Sequence, residues 1–362
     1  MNQGLASMNI AGIGIVFSRG RGSAALEQAL HQGYVPPSLV EVRGLAAPLP
    51  VYDVADELLA DKTVLAKARR ADRLVRMAVL AASDAVQESG LAGSLNRQRM
   101  GVIIATALGP HVTTFSFLDG ILDFGDGAVS PTAFSHSVHN AAASYVATTL
   151  DIRGPTLTMT HFHFAFQQAV QLAQAWLQEK RCDAVLVGTA DELGGVMEFA
   201  CGRLAKPAQD GRIKPFAFSA TPEIVPGEGS VFFLLTPEPA GVAYAKLEVC
   251  DDRLIPPAPV GGMQLLDTFG MSRDERGYRD VIMGDRLVGG YAPLFGSIMT
   301  GSAFHAATGA LMLKRQMCYA CPVQDNPHGV KICKETIPAQ LDNVVCTRLD
   351  CEGQAMTVGL AK

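Results

Sequence analysis

Two kinds of hydrophobic pattern alternate along this chain. Unbroken apolar runs occupy residues 8–17 (MNIAGIGIVF), 100–107 (MGVIIATA), 182–191 (CDAVLVGTAD) and 230–237 (SVFFLLTP). Short runs rich in branched side chains and bounded by turn formers predict strands buried on both faces. Between them, apolar residues recur every three or four positions. Residues 22–33 do so and stop at Gly33, and the segment from Arg69 to Gly90 places Leu74, Met77, Ala81, Ala85 and Val86 on one face. That spacing predicts amphipathic helices.

The same reading predicts a short helix opening the stretch 108–125 and a longer one over 137–150. A strand at GPTLTMT (154–160) should then run into a helix over 165–180, where Ala169, Leu172, Ala173 and Leu177 share a stripe. Residues 35–62 carry prolines and no period. From residue 243 the pattern restarts: strands at 243–250 (AYAKLEVC) and 279–285 (RDVIMGD), a helix over 301–316, and closing strands at 343–351 (NVVCTRLDC) and 355–362 (AMTVGLAK). Buried strands alternating with helices predict an α/β layered fold, and the restart predicts two similar halves, 1–242 and 243–362, the second shortened.

With 362 residues and 48% hydrophobic content, the chain can bury a large core. A net charge of -5 leaves no basic footprint for nucleic acid. No run approaches the roughly 20 apolar residues of a membrane span, and MNQGLASMNIAGIGIV lacks the parts of a secretion signal. These features predict a soluble cytoplasmic protein. Its eight cysteines (182, 201, 250, 318, 321, 333, 346 and 351) are then expected as free thiols.

Candidate chemistry concentrates in GPTLTMTHFHFAF (154–166). His161 and His163 would share a face if the strand continued, which would suit a metal, but no carboxylate or cysteine stands near them in sequence. Hydrogen-bonded histidines are the plainer reading. CYAC (Cys318 to Cys321) with Cys333 lacks the second close pair of a zinc site, so no metal is expected. GIGIVFSRG misplaces the third glycine of a dinucleotide fingerprint, so no cofactor is expected. Lys67, Arg69, Arg70, Arg73 and Arg76 form either a solvated helix face with internal ion pairs or an attractor for an acidic protein.

Six strings then follow in a fixed order over about 230 residues: IAGIGIVFSRGRG, RRADRLVRMAVLAASDAVQESGL, GVIIATALG, SPTAFSHSVHNAAASYVATTLDIRGPTLTMT, CDAVLVGTAD and PFAFSATPEIVPGEGSVFFLL. In that order they resemble the β-ketoacyl synthases of the thiolase fold, and the likeness extends over nearly the whole chain. It implies an α-β-α-β-α layering of two similar halves. Active members carry a cysteine at the head of the helix after the GP strand, where the helix end favours a thiolate. Counted from Gly154 and Pro155, that position falls on His163.

Active members also carry two histidines that polarise a thioester carbonyl. The region matched to the first, 280–290 (DVIMGDRLVGG), has none. The second belongs to a K-x-M-T-G-H pattern matched by SIMTGS, which puts Ser297 at the lysine and Ser302 at the histidine, with His305 a shifted substitute three residues on. The terminal FGGxN loop corresponds to 350–355 and keeps Gly353.

Four departures imply that the chain performs no condensation of its own. One branch of the family has this character, the chain-length factor or ketosynthase-β of type II polyketide synthases, although its members commonly show glutamine where His163 stands. The resemblance implies a ketosynthase-α partner in a heterodimer and transient contact with an acyl carrier protein. It also implies an interface strand at Pro155, Thr156, Leu157, Thr158, Met159 and Thr160, and a channel wall at Pro110, Thr113 and Phe117 on one helical face. The residues alone would sooner place Phe117 in the core with Phe115 and Leu118. The second half is shorter than in most relatives, chiefly between about 250 and 295, where acyl-pocket elements would lie. The competing readings are a divergent acyltransferase or malonyl-decarboxylating enzyme using His163 and His305, and an inactive homodimer with a scaffold role.

Overall fold

The computed structural model describes residues 8–362 apart from 126, 128, 242, 252–261 and 273, with Cys250 and Asp251 described in their backbone alone. Strand β1 (Met8–Phe17) turns through β2 (Gly20–Arg21) into helix α1 (Ser23–Gln32), and a small hairpin of β3 (Ser38–Val40) and β4 (Leu49–Val51) precedes α2 (Arg73–Glu88). There follow β5 (Met100–Thr106), α3 (His111–Phe124), α4 (Pro131–His136), α5 (Ala141–Thr149), β6 (Thr156–Thr160) and α6 (Ala165–Gln178). Next come β7 (Ala184–Asp191), α7 (Gly195–Leu204) and β8 (Gly229–Thr236). The remainder supplies β9 (Lys246–Asp251), β10 (Gly262–Leu266), β11 (Leu287–Gly289), α8 (Ser302–Arg315), the short pair β12 (Met317–Cys318) and β13 (Ile337–Pro338), β14 (Asn343–Leu349) and β15 (Ala355–Ala361).

The apolar runs became strands because both of their faces are covered. Every residue of β1, β5, β7 and β8 is buried. The order across the large sheet is β11-β10-β14-β15-β9-β1-β8-β7-β5-β6. Within β1, β5, β6, β7 and β8, taken in chain order, the spatial sequence is third, second, fourth, fifth, first. The strands β9, β10, β11, β14 and β15 repeat that sequence. Pairing also repeats: the first three neighbours are parallel, and the fifth strand runs antiparallel to both of its neighbours. The two sets meet where Met8 and Asn9 pair with Leu247 and Lys246.

In each set one helix carries the chain from the third strand to the fourth, α6 in the first and α8 in the second. These two helices touch each other, and each packs against strands of both sets. That explains why α8 is buried on nearly every side. On the outer face of the first set lie α2 and α5. The same face of the second set is covered by a 3-10 turn at Arg276–Arg279 and by irregular segments whose Val281, Ile282, Val323 and Ile332 pack around Tyr278 and Leu266.

Two local expectations change. Residues 279–285 form no strand; they fold over β10, where the Gln264 side chain donates to the Val281 carbonyl and accepts from the Met283 N–H. The second strand is β10 instead. The short helix expected at the start of 108–125 is the long α3. The glycines of GIGIV serve packing: Gly12 and Gly14 lie inside β1, and a Cβ on them would stand 2.2 Å from the Ala85 carbonyl oxygen and 1.8 Å from that of Ala81. They let the backbone of α2 press directly onto the strand.

Candidate functional site

The head of α6 lies just beyond the edge strand β6. Between them, the Nδ1 of His161 accepts hydrogen bonds at 3.0 Å from the N–H groups of His163 and Phe164. His161 therefore fixes the turn, and a nitrogen occupied in this way is not free for a metal. No side chain caps the helix itself, whose N-cap is Phe164. His163 is half-buried, with the His161 ring 6.3 Å and the Phe164 ring 6.4 Å away. Burial and then the Arg348 guanidinium hold its imidazole below the usual histidine range, with Asp350 pulling the other way. Neutral imidazole is the form this environment favours.

From α6 a buried polar chain runs on into both strand sets. Gln167, one turn further along α6, donates through Nε2 to Ser302 Oγ at 3.0 Å. Ser302 donates in turn to Asp267 Oδ2 at 2.6 Å, and Arg348 Nη1 grips the same oxygen at 2.6 Å. Asp267 and Arg348 are both fully buried, and the guanidinium lies over the Phe269 ring with its centroid 4.0 Å away.

Asp267 is the main correction to the sequence reading. The first histidine position was matched to 280–290, but those residues lie elsewhere: Val288 pairs with β10, and the Gly290 N–H meets the Cys321 sulfur. The residue that β10 delivers against Ser302 is Asp267. Sequence reasoning also passed over Gln167 and Arg348. Ser297 is buried but stands apart in a structural role, its N–H donating to the Val225 carbonyl and its Oγ accepting from the Val225 N–H.

His305 has no exposed surface and no free nitrogen. Its Nε2 accepts from the Tyr291 N–H at 3.3 Å, and Nδ1 faces the Gly301 carbonyl at 3.2 Å and Asp267 Oδ1 at 3.4 Å. Burial lowers its pKa, so it sits as a neutral ring held by the backbone. Gly353 closes the hairpin between β14 and β15 in the left-handed region, with φ 81.

Of the three channel positions, Thr113 and Phe117 lie on α3, but Pro110 is its non-helical N-cap, so the expected single helical face holds two of them. The Thr113 hydroxyl turns to Asp72 Oδ2 at 2.8 Å, joining α3 to the start of α2. Phe117 is half-buried with its ring 5.7 Å from Phe134, and only His111 of α3 is buried, so α3 adds little to the core. The strand β6 borders the sheet, pairs with β5 alone on the sheet path, and leaves Thr156, Leu157 and Thr160 exposed.

The basic run divides. Arg73 is tied to Glu228 and Asp56, Lys67 pairs with exposed Asp151, and Arg69 and Arg70 remain exposed beside Lys67 and Tyr145. The seven cysteines with described side chains are free, and six are buried. Burial pushes the Cys321 thiol up to about 12 and Cys318 further, so both keep their protons.

Residues 7–240 match the model of the β-ketoacyl synthase N-terminal domain. The chain belongs to the β-ketoacyl synthase family. A 207-residue stretch is 28% identical to a putative polyketide β-ketoacyl synthase 1 of Streptomyces halstedii, covering 53% of this chain and 48% of that protein. The match thus spans about half the length of this curated relative. Among solved structures, the ishigamide ketosynthase/chain length factor superposes with a TM-score of 0.80 at 16% identity, over 99% of both chains. A type II PKS acyl-carrier protein in complex with its ketosynthase bound to the hexaketide gives 0.80 at 14% identity, over 98% of this chain and 99% of that one. At such identities these likenesses carry the fold, which is the thiolase-like layered fold of ketosynthases. Among the described residues no helix is long and apolar enough to cross a membrane.

Proposed function

We propose that this β-ketoacyl synthase family member is a non-catalytic subunit of a type II polyketide synthase, a chain-length factor that pairs with an active ketosynthase-α and shapes its product channel. One correspondence supports the reading: counted from Gly154 and Pro155, His163 falls where condensing members carry a thiol, and it stands just before the head of α6, whose Gln167 leads through Ser302 to Asp267. Asp267 is committed to Arg348 and Ser302, and neither it nor Ser302 is an imidazole that could polarise a thioester carbonyl as condensation requires. An enzyme built on His163 and His305 finds less support, because both nitrogens of His305 are engaged by backbone.

The exposed edge of β6 and the apolar surfaces of α3 and α4 favour a subunit that works beside a partner. Exposed Arg69 and Arg70 would suit brief visits from an acidic acyl carrier protein. The repeated strand order supports dividing the chain into halves at 242 and 243, and a cytoplasmic setting fits free, buried cysteines.

Co-expression with a type II ketosynthase-α, followed by intact-mass measurement of the purified complex, tests the pairing. A one-to-one complex is expected; a homodimer that ignores the ketosynthase would overturn the reading. If Phe117 helps to close the channel, Phe117→Ala in that complex should shift the products to longer chains. Unchanged products at unchanged yield would remove Phe117 from that role.

A further inference from the structure

The turn from Thr268 to Ser272, which follows β10, hangs on one acid. Glu275 Oε1 accepts a hydrogen bond from the Gly270 N–H at 2.9 Å, and the Phe269 N–H supports the same carboxyl. The hydroxyls of Thr268 and Ser272 are buried without a partner. Among the described residues little else fixes this turn. Its Gly270, Met271 and Ser272 line a cavity of about 710 Å³ together with Met197 and Cys201 of α7. Glu275 lines a second cavity of about 250 Å³ with Lys206, Lys214 and Glu223, and Lys206 borders both. The turn thus faces one cavity and its anchor the other.

Glu275 is 2% exposed, and the charges around it do not balance. Asp267, just after β10, and Arg348 on β14 both act on it, but Asp267 already holds Arg348 Nη1 at 2.6 Å. Two buried acids therefore share one guanidinium among the described residues. Tyr278, from the 3-10 turn, is neutral and donates to the Asp267 carbonyl. On Glu275's own segment, Asp274 and Arg276 pair with each other. Across the smaller cavity Lys206 and Lys214 meet Glu223, and Lys214 also meets Asp210. Burial first, and then the Asp267 charge, raise the Glu275 pKa to about 7, against the pull of the Gly270 N–H and of Arg348.

We propose that Glu275 is a proton-operated latch on the turn. Protonated, it stays under the Gly270 N–H and holds Met271 against the larger cavity. Ionised, its carboxylate leaves the Asp267 charge and swings into the smaller cavity toward Lys214, the proton passes to water there, and the freed turn widens the larger cavity. The folded chain holds this proton more tightly than the unfolded one, so the stability that it brings is complete below the ordinary glutamate range and is lost as the pH rises through about 7. The latch belongs to the chain itself and does not depend on pairing with a ketosynthase.

The full-length protein, labelled with 13C in its methionine methyl groups, should be titrated from about pH 6 to about pH 8 and followed by NMR. The Met271 methyl resonance should shift with a midpoint near 7, while that of Met77, buried in α2, should stay in place. Over the same range hydrogen exchange at Thr268–Ser272, corrected for the intrinsic effect of pH, should lose at least about tenfold of its protection. Glu275→Gln offers the same carbonyl to Gly270 without a proton to lose, so it should keep the turn protected throughout. Lys214→Gln should move the Met271 midpoint upward by removing the charge that receives the carboxylate.

A Met271 resonance that does not titrate, or a loss of protection that persists in Glu275→Gln, overturns the latch. Met77 shifting together with Met271 would also overturn it, because the whole fold would then be loosening. A midpoint unmoved by Lys214→Gln overturns the swing into the smaller cavity.

Discussion

Arg348→Met should destabilise the folded chain by about 3–5 kcal/mol, enough to leave little soluble protein, because it strands a fully buried carboxylate at Asp267. Ser302 would remain as the donor to Oδ2, and one hydroxyl cannot replace a guanidinium. The double variant Arg348→Met/Asp267→Asn should recover most of that loss, since a buried ion pair exchanged for neutral groups of similar volume is often close to neutral in stability. Urea unfolding of the three proteins measures both effects. A single variant as stable as the parent would mean that water reaches Asp267 and that the pair is not the buried contact described above.

Much of the first strand set could be read from pattern alone, and the reason is physical. Fully covered strands such as β5 and β7 have no polar face to interrupt their apolar runs, and α2 carries its buried stripe at helical spacing. The second set was harder. Its β10 is only Gly262–Leu266, and Val281 and Ile282, which looked like strand residues, are apolar because they plug the outer face of a set with no outer helix among the described residues.

The site divides in the same way. His163 was found by counting from Gly154 and Pro155, a local operation. Its neighbours come from far along the chain: Ser302 lies 135 residues from Gln167, and Asp267 lies 81 from Arg348. No spacing rule reaches that distance. One signal was available, however. Arg348 is a charge within the branched apolar run NVVCTRL, and a charge in a buried strand needs a partner. Asking what could pair with it points to the buried acid that β10 delivers. Pro110 is the N-cap of α3 and not part of its helical turns, so spacing alone does not put it on one helical face with Thr113 and Phe117.

In the proposed pairing with a ketosynthase-α, Leu157→Lys should abolish co-purification while leaving the isolated fold intact. The strand β6 ends the sheet with its outer N–H and C=O groups available, and Leu157 is 43% exposed in the middle of it. An edge of this kind pairs with another strand or must be blunted, and lysine is a common blunting residue. The surrounding segments point the same way. Leu118, Leu122, Phe124, Phe134 and Phe162 are all exposed, a concentration of large apolar side chains that monomers seldom carry without a use. Because Leu157 contributes little to the core, its replacement should change the stability of the chain by no more than about 0.5 kcal/mol. An unchanged melting curve together with loss of the complex on size exclusion would assign the contact to β6. Retention of a full-yield complex by the lysine variant would exclude that edge and leave the exposed faces of α3 and α4 as the surface to test.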